Sequence, residues 1–152
     1  MDLHSFYDFA VMIYCDYGAL STGDRKLLLK NVYRHLKPGG KLLLDVFSMA
    51  ACERFQERQT WELCSDGGFW RDRGYLVMNG FYKYPGCVTL DQTAIITGEG
   101  ITPYYLWNTY FSRDSLHREA EDAGFSVNGV FSDVSGRPYR PDEPVIAILL
   151  EK

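Results

Sequence analysis

The sequence predicts an α/β fold with a three-stranded antiparallel β-meander inserted in its middle. Three observations carry this prediction. Short apolar segments alternate with an amphipathic helix at the start of the chain, as in parallel strands joined by helical crossovers. The same alternation returns after residue 111. Between them, period-two segments separated by glycine-containing turns are typical of antiparallel strands.

The pattern of residues 1–60 predicts a strand, a helix, a second strand and a second helix, in that order. The nearly continuous apolar run Phe6–Cys15 predicts a strand buried on both faces, as in a parallel sheet. Ser21 and Asp24 have the spacing of a capping box, so a helix is expected to begin there. The turn Pro38-Gly39-Gly40 is expected to end it, because proline cannot continue a helix and glycine adopts the cap conformation.

A second buried strand is expected at Lys41–Phe47, and a helix from Ser48 to about Gln59. The insert, 61–111, differs from its flanks because it holds all three tryptophans and about half of the aromatic residues. Its predicted strands are Tyr75–Tyr84, Cys87–Thr97 and Ile101–Phe111.

The last part, 112–152, returns to the α/β pattern. Ser112 is expected to cap a helix that ends at Gly124. Phe125–Phe131 and Val145–Leu150 predict the two closing core strands. We therefore expect a single domain with three parts, 1–60, 61–111 and 112–152.

Composition excludes several classes of protein. With 152 residues, a net charge of −4 and a pI near 5.3, the chain lacks the basic balance of a nucleic-acid binder. No apolar run is long enough to span a bilayer, and no secretory signal pattern opens the chain. None of the four cysteines forms a CxxC pair, so no metal site is expected. We expect a cytoplasmic protein with free thiols.

Four segments together resemble the C-terminal half of a class I S-adenosylmethionine-dependent methyltransferase. They are Tyr7–Met12 running into Ala19-Leu20-Ser21, the turn and strand Leu36–Asp45 with the sequence LKPGGKLLLD, the helix end Ala123-Gly124-Phe125, and Val145–Leu150. The resemblance implies a partial Rossmann-like sheet of about four core strands. In that sheet the final strand lies between the second and third core strands and is antiparallel to them.

The same resemblance implies methyl transfer to a small-molecule acceptor with S-adenosylmethionine as cofactor. The family's first three strands, its GxGxG loop and the acidic residue that holds the ribose have no counterpart in this sequence. We therefore expect weak or absent cofactor binding by this chain alone, with a separate N-terminal half as one possible partner. The alternative is a non-catalytic interaction module derived from the same fold.

Candidate site residues follow the first two core strands, because ligands of doubly wound sheets bind outside the carboxyl ends of the strands. Tyr14, Cys15 and Asp16 are the predicted cofactor-binding residues. Asp16 and Tyr17 are the predicted catalytic residues, since a carboxylate or phenol can orient a nucleophile or take its proton. Asp45 ends the second strand at the same edge, where it could line the site or cap the helix that follows.

The aromatic residues of the insert allow two interpretations. Trp70, Tyr75, Trp107 and Tyr110 are the predicted substrate-binding residues, but such side chains also cover sheets and form subunit interfaces. The open edge expected for Phe6–Cys15 would template pairing with another chain. We therefore predict a homodimer, formed by that strand or by the meanders packing face to face.

Overall fold

The computed structural model describes residues 6–152 and shows a mixed α/β protein. The prediction about a secretory signal falls on residues 1–5 and lies outside this range. In chain order the elements are β1 (Tyr7–Met12), a 3-10 turn (Asp16–Ala19), α1 (Thr22–His35), β2 (Leu36–Phe47), α2 (Met49–Arg54), β3 (Arg58–Cys64), β4 (Tyr75–Tyr84), β5 (Val88–Thr97), β6 (Gly100–Thr109), α3 (Arg113–Asp122), β7 (Ser126–Phe131) and β8 (Val145–Glu151).

The chain forms two compact units. The first unit comprises the residues up to Arg54 together with Thr109–Lys152, and the second comprises Phe55–Asn108. The predicted insert, 61–111, shares most of its residues with the second unit. Each unit contains one four-stranded sheet.

The sheet of the first unit has the strand order β1-β2-β8-β7. β1 is parallel to β2, whereas β8 is antiparallel to both of its neighbours, β2 and β7. The final strand, β8, therefore lies between β2 and β7, which is the order that the family resemblance implies. Because β1 and β2 are parallel neighbours, their carboxyl ends meet at the same edge of the sheet.

The core of the first unit lies on one face of this sheet. Leu42, Leu44 and Val46 of β2 pair with Leu150, Ile148 and Ile146 of β8, and all six side chains are buried. Leu29 of α1 and Leu116 and Ala120 of α3 belong to the same buried cluster. Burial of this apolar surface is the main stabilising contribution in the unit.

The prediction that the first strand is buried on both faces is wrong. Ala10 and Met12 pack against the core, but Tyr7, Phe9 and Val11 on the opposite face are exposed. β1 is an edge strand in the described part of the chain, with β2 as its one neighbour in the sheet. An apolar run shows that a strand can be buried, but only neighbouring elements bury it.

The beginning of α1 matches its prediction, because Ser21 Oγ accepts a hydrogen bond from the Asp24 backbone N–H at 3.2 Å. The turn after α1 is shorter than predicted, since β2 already begins at Leu36. Gly39 adopts φ 75°, which glycine tolerates without strain. Gly40 lies so close to the backbone that an added Cβ would be 2.8 Å from the Lys37 carbonyl oxygen.

The sheet of the second unit has the order β3-β4-β5-β6, so it contains one strand more than the predicted meander. The strand missed by the sequence analysis is β3. The predicted helix from Ser48 to Gln59 is wrong in its second half, since α2 ends at Arg54 and Arg58 begins β3. The alternation of Trp61 and Leu63 with polar residues was the signal for this strand.

The cysteines are not all free thiols. Cys15 and Cys64 are free, whereas Cys52 and Cys87 are disulfide-bonded, so the prediction is wrong for these two. The position of two sulfur atoms in space decides whether a disulfide can form, and spacing along the chain does not reveal it. Among the helices formed by residues 6–152, none has the length and apolar character needed to cross a membrane.

Candidate functional site

The predicted site residues meet where β1 and β2 end. Met12, the last residue of β1, pairs with Leu44, so the chain beyond each strand emerges at the same edge. We call residues 13–17 and 45–48 the rim. In an open α/β sheet, this edge is where ligands bind.

A buried hydrogen bond joins the two halves of the rim. The backbone N–H of Cys15 donates to Asp45 Oδ1 at 2.8 Å, and Asp45 is itself buried. The alternative role considered for Asp45, as the cap of the following helix, is filled by Ser48, whose Oγ accepts from the Ala51 N–H at 3.3 Å. Asp45 therefore holds the loop after β1.

That loop contains two consecutive residues in the left-handed region of backbone space. Tyr14 has φ 76° and Cys15 has φ 61°, and neither is glycine. Such a conformation is sterically disfavoured for residues with a Cβ and occurs mostly where surrounding contacts enforce it. The Tyr14 side chain is 87% exposed, whereas that of Cys15 is buried. The turn thus inserts the thiol and presents the phenol ring to solvent.

Asp16 and Tyr17, the predicted catalytic residues, occupy different environments. Asp16 is exposed and begins the 3-10 turn, so its carboxylate is accessible from the rim. Tyr17 is fully buried, and its hydroxyl donates a hydrogen bond to Glu119 Oε2 at 2.7 Å. Burial first, and then this bond, raise the pKa of the Tyr17 hydroxyl, which keeps it protonated at neutral pH.

Tyr17 belongs to a buried polar network that the sequence analysis did not find. Arg25 of α1 donates to both carboxylate oxygens of Glu119 in α3, each at 3.0 Å. The Arg25 guanidinium also lies 5.2 Å from the centre of the Phe111 ring. The two charged residues are 94 positions apart in the chain. No local spacing signals such a pair, since the fold alone brings the two helices together.

The thiol of Cys15 is shielded in the same region. Burial, together with the carboxylates of Asp45 and Asp16, raises the pKa of Cys15 to about 12. A thiol with so high a pKa is almost entirely protonated at neutral pH and is a poor nucleophile. Cys15 therefore contributes its backbone and its packing to the rim rather than a reactive sulfur.

The segment that precedes α3 adds an aromatic residue to the rim. The Phe111 N–H donates to the Phe47 carbonyl at 2.9 Å, and the Met49 N–H donates to the Phe111 carbonyl at 3.0 Å. These bonds place the Tyr110 ring 5.7 Å from that of Phe47, centre to centre. Tyr110 is thus the one predicted substrate-binding residue that the described residues of the first unit bring to the rim.

The other predicted substrate-binding residues lie in the second unit. Trp70 stacks on Tyr104 at 4.9 Å between ring centres, and the backbone N–H of Trp70 donates to the Tyr75 hydroxyl at 3.5 Å. Tyr75 is buried in the small core of this unit, whereas Trp107 is partly exposed and contacts Tyr84.

A pocket of about 170 Å³ opens beside the buried network, between α1 and α3. Its lining residues are Tyr17, Lys26, Leu29, Lys30, Glu119, Asp122 and Ala123. No group of three or more His, Cys, Asp or Glu side chains within residues 6–152 could hold a metal ion.

No protein-family model matches the chain, and no curated protein does. Solved structures do match. A methyltransferase from Clostridium acetobutylicum that depends on S-adenosylmethionine superposes with a TM-score of 0.73 at 11% identity, over 99% of this chain and 60% of that one. The CcbJ methyltransferase of Streptomyces caelestis has a TM-score of 0.70 at 15% identity, over 99% and 63%.

A third match is CalS10 of Micromonospora echinaspora, an amino pentose methyltransferase solved with S-adenosylmethionine bound. Its TM-score is 0.56 at 17% identity, over 100% of this chain and 61% of that one. The chain therefore spans about 60% of the length of each of these structures. Likeness at such low identity concerns the fold alone: this chain shares the fold of the parts of these methyltransferases that it covers.

Proposed function

We propose that this chain is the C-terminal portion of an S-adenosylmethionine-dependent methyltransferase, with a partial Rossmann-like sheet, that acts on a small molecule. The observation that carries the proposal is the fold likeness over 99% of the chain, with TM-scores of 0.70 and 0.73. The rim supports it, since it lies at the ligand-binding edge of the sheet and combines strained backbone with an exposed carboxylate.

The residues of the rim fit the cofactor in part. S-adenosylmethionine supplies an electrophilic methyl group on a positively charged sulfonium. An exposed aromatic ring, that of Tyr14, and an exposed carboxylate two positions later, that of Asp16, are the kinds of group that stabilise a cation. The glycine-rich loop that the family resemblance implies has no counterpart in this sequence. Tyr14, the Cys15 backbone and Asp16 are the residues that would hold the cofactor here.

The remaining roles follow from accessibility. Asp16 would orient the acceptor and take the proton that its nucleophilic atom releases. Tyr110 would form an apolar wall beside Phe47, which helps to exclude water from the reacting atoms. Tyr17, whose hydroxyl is held by Glu119, would fix the position of Asp16 rather than touch the acceptor. Trp70, Tyr75 and Trp107 stay candidate substrate contacts of the second unit.

The names of the matching structures suggest an acceptor class. They include an amino pentose methyltransferase, a sugar N-methyltransferase and a glycopeptide N-methyltransferase. We therefore propose the amine of a sugar-containing small molecule as acceptor. An amine attacks only in its neutral form, which gives the exposed carboxylate of Asp16 a use as proton acceptor.

Cofactor binding is tested by titrating the ¹⁵N-labelled chain with S-adenosylmethionine. We expect a Kd in the millimolar range, about 1–5 mM, because the glycine-rich loop that the resemblance implies has no counterpart in this sequence. The amide signals that shift should belong to the rim. An absence of rim shifts at about 10 mM ligand, or shifts confined to other regions, would contradict the proposal. Micromolar binding would instead show that this sequence already contains the principal cofactor contacts.

Methyl transfer is tested by mass spectrometry with an amino sugar and with the same sugar bearing a hydroxyl in place of the amine. We expect a methyl adduct on the amino sugar only, and Asp16→Asn should lower its rate by about 10²-fold or more. Asp24→Asn, which alters an exposed carboxylate of α1, is the matched control. Equal methylation rates for Asp16→Asn and the unaltered chain would show that Asp16 takes no part in catalysis.

The second candidate function is a non-catalytic interaction module. It is favoured by the large apolar side chains that the second unit exposes, such as Trp61, Leu63 and Ile101. Exposed apolar patches of this kind mark interaction surfaces. Failure of both tests above, together with self-association through these side chains, would favour this function over catalysis.

For partners, we propose association through β1 or through the second unit, in a homodimer or with a separate N-terminal half. Tyr7, Phe9 and Val11 expose apolar surface on an edge strand, and such edges pair readily with another strand.

Light scattering at micromolar concentration tests the homodimer, which a monomer would refute. Val11→Lys should dissociate a dimer formed by β1, whereas Trp61→Ser should dissociate one formed by the second unit. Because Val11 is already half-exposed, the lysine is tolerated in the monomer, and circular dichroism verifies its folding.

A further inference from the structure

The left-handed turn Tyr14-Cys15 raises the question of what holds it in place. Both residues have a Cβ and positive φ, a conformation that an isolated peptide rarely adopts at two consecutive positions. Such a turn persists only where surrounding contacts outweigh its strain. The turn contains no glycine that would relieve the strain, so the contacts must come from other parts of the chain.

Two hydrogen bonds made by the Cys15 backbone, together with the burial of the Cys15 side chain, provide these contacts. The Cys15 N–H donates to Asp45 Oδ1 at 2.8 Å, and the Cys15 carbonyl accepts from the Gly18 N–H at 3.1 Å. The second bond is local and belongs to the 3-10 turn. The first bond spans 30 residues and ties the turn to the end of β2. A charged acceptor makes it the stronger of the two.

Packing of the Tyr14 side chain does not compensate for the strain in its backbone. Its ring is 87% exposed, so packing does not explain why an aromatic side chain stands there. Strained residues with exposed side chains at the ligand edge of a sheet are typical of binding sites. The aromatic face of Tyr14 suits a positively charged group of a ligand.

We propose that Asp45 is a positioning residue, which holds the Tyr14-Cys15 turn and so presents the Tyr14 ring to the ligand at the rim. The ligand part of this inference rests on the proposed function, and the turn part does not. Asp45 acts through its oxygen as a hydrogen-bond acceptor and does not touch the ligand. An asparagine at this position retains such an oxygen, whereas a valine of similar size does not.

The test compares Asp45→Asn with Asp45→Val in the ¹⁵N,¹³C-labelled chain. In Asp45→Val we expect the Cys15 amide to exchange with solvent about tenfold faster or more, because its acceptor is lost. One-bond Cα–Hα couplings of Tyr14 and Cys15, which distinguish positive from negative φ, should change in this variant only. Asp45→Asn should retain both the slow exchange and the couplings of the unaltered chain.

The ligand part is read from the shifts that S-adenosylmethionine induces in the same samples. Asp45→Val and Tyr14→Ala should each raise the midpoint of the titration by about tenfold. Asp45→Asn should stay within about twofold of the unaltered chain. Adding Cys15→Gly to Asp45→Val should restore part of the binding, because glycine adopts positive φ without strain. Circular dichroism verifies that each variant folds.

Each remaining outcome overturns a defined part of the inference. Slow exchange of the Cys15 amide in Asp45→Val would show that Asp45 does not hold the turn. Equal damage by Asn and Val would show that charge, not the acceptor oxygen, matters. Unchanged ligand midpoints in the presence of a disrupted turn would refute the ligand part. A lack of shifts in the unaltered chain would refute the proposed function and that ligand part, while the exchange data would still decide the turn.

Discussion

The two units of this chain are stabilised by different interactions. In the first unit, helices α1 and α3 cover one face of the sheet, and a large cluster of apolar side chains is buried between them. In the second unit, the buried cluster consists of Tyr75, Val77 and Ile95, with Cys64 packed against it. Backbone hydrogen bonds between long antiparallel strands therefore contribute a larger share of the stability of the second unit.

Buried residues of the first unit maintain the fold, whereas exposed apolar residues of the second unit are available to bind a partner. Substitutions of the buried residues of the first unit should be costly, because they remove buried contacts or leave buried charges unpaired. Exposed side chains such as Trp61 and Leu63 add little to stability, so their apolar character calls for another explanation. Pairs of similar residues, one from each unit, test this contrast directly.

The largest difference is expected between two arginine–glutamate pairs. Arg25–Glu119 in the first unit and Arg71–Glu99 in the second have N–O distances of 3.0 and 3.1 Å, but Arg25 is buried and Arg71 is exposed. Glu119→Ala should lower the free energy of unfolding by about 3–5 kcal/mol, because it leaves a buried guanidinium unpaired. Glu99→Ala should cost less than about 1 kcal/mol. Urea unfolding measures both, and similar losses would contradict the contrast.

The next difference concerns two leucines in strands. Leu44 in β2 is buried in the core of the first unit, whereas Leu63 in β3 is 64% exposed. Leu44→Ala should destabilise the protein by about 2–5 kcal/mol through lost contacts and the cavity it leaves. Leu63→Ala should change stability by about 0.5 kcal/mol or less. A large loss of stability for Leu63→Ala would mean that β3 is buried in solution, by a second copy or another partner.

A smaller difference is expected between two glycines. A Cβ on Gly40 would lie 2.8 Å from the Lys37 carbonyl oxygen and 3.1 Å from that of Tyr7. Gly40→Ala should therefore cost about 1–3 kcal/mol, since backbone must move to make room. A Cβ on Gly98, in the turn between β5 and β6, meets no atom within 4 Å. Melting temperatures of the two alanine variants measure this difference, and equal values would show that the β1–β2 junction is looser than described.

The smallest effect concerns the two free cysteines, one in each unit. Burial and nearby carboxylates raise the pKa of Cys15 from 9.0 to about 12 in the folded state. Its neutral thiol is thus favoured by folding, and this stabilisation is complete below pH 9 and is lost as the pH rises toward 12. The loss should reach about 1.4 kcal/mol for each pH unit in that range.

Urea midpoints of Cys15→Ala should accordingly fall less between pH 9 and 10 than those of the unaltered chain. Leu63→Ala, which alters an exposed side chain of the second unit that does not titrate, serves as the control and should retain the full pH dependence. At pH 8, iodoacetamide should modify Cys64 before Cys15, because Cys15 is buried and protonated. Faster modification of Cys15 would show that the rim opens in solution.

Much of the candidate site was predictable because it follows from the positions of strand ends. The apolar runs that became β1 and β2 located Tyr14, Cys15, Asp16 and Asp45 at one edge of the sheet. The contacts within that edge were not predictable. Whether Asp45 accepts a bond from Cys15 or caps a helix depends on the path of a loop 30 residues away.

The sequence by itself determined the features that are satisfied within a few residues. Ser21 and Ser112 bond to backbone N–H groups three positions ahead, and Gly124 adopts φ 97° at the end of α3. β4 has its predicted bounds, and β8 extends its prediction by one residue. Caps, turns and period-two patterns act over distances along the chain that a sequence displays directly.

Tertiary structure alone decided which surfaces are covered and which charges meet. The run Phe6–Cys15 is apolar enough for burial on both faces, yet β1 exposes one face because neither helix packs there. Arg25 and Glu119, separated by 94 residues, form an ion pair with a buried guanidinium because α1 and α3 lie on the same side of the sheet. Burial and pairing depend on which elements become neighbours in space, and this information is distributed over the whole chain rather than held in any one segment.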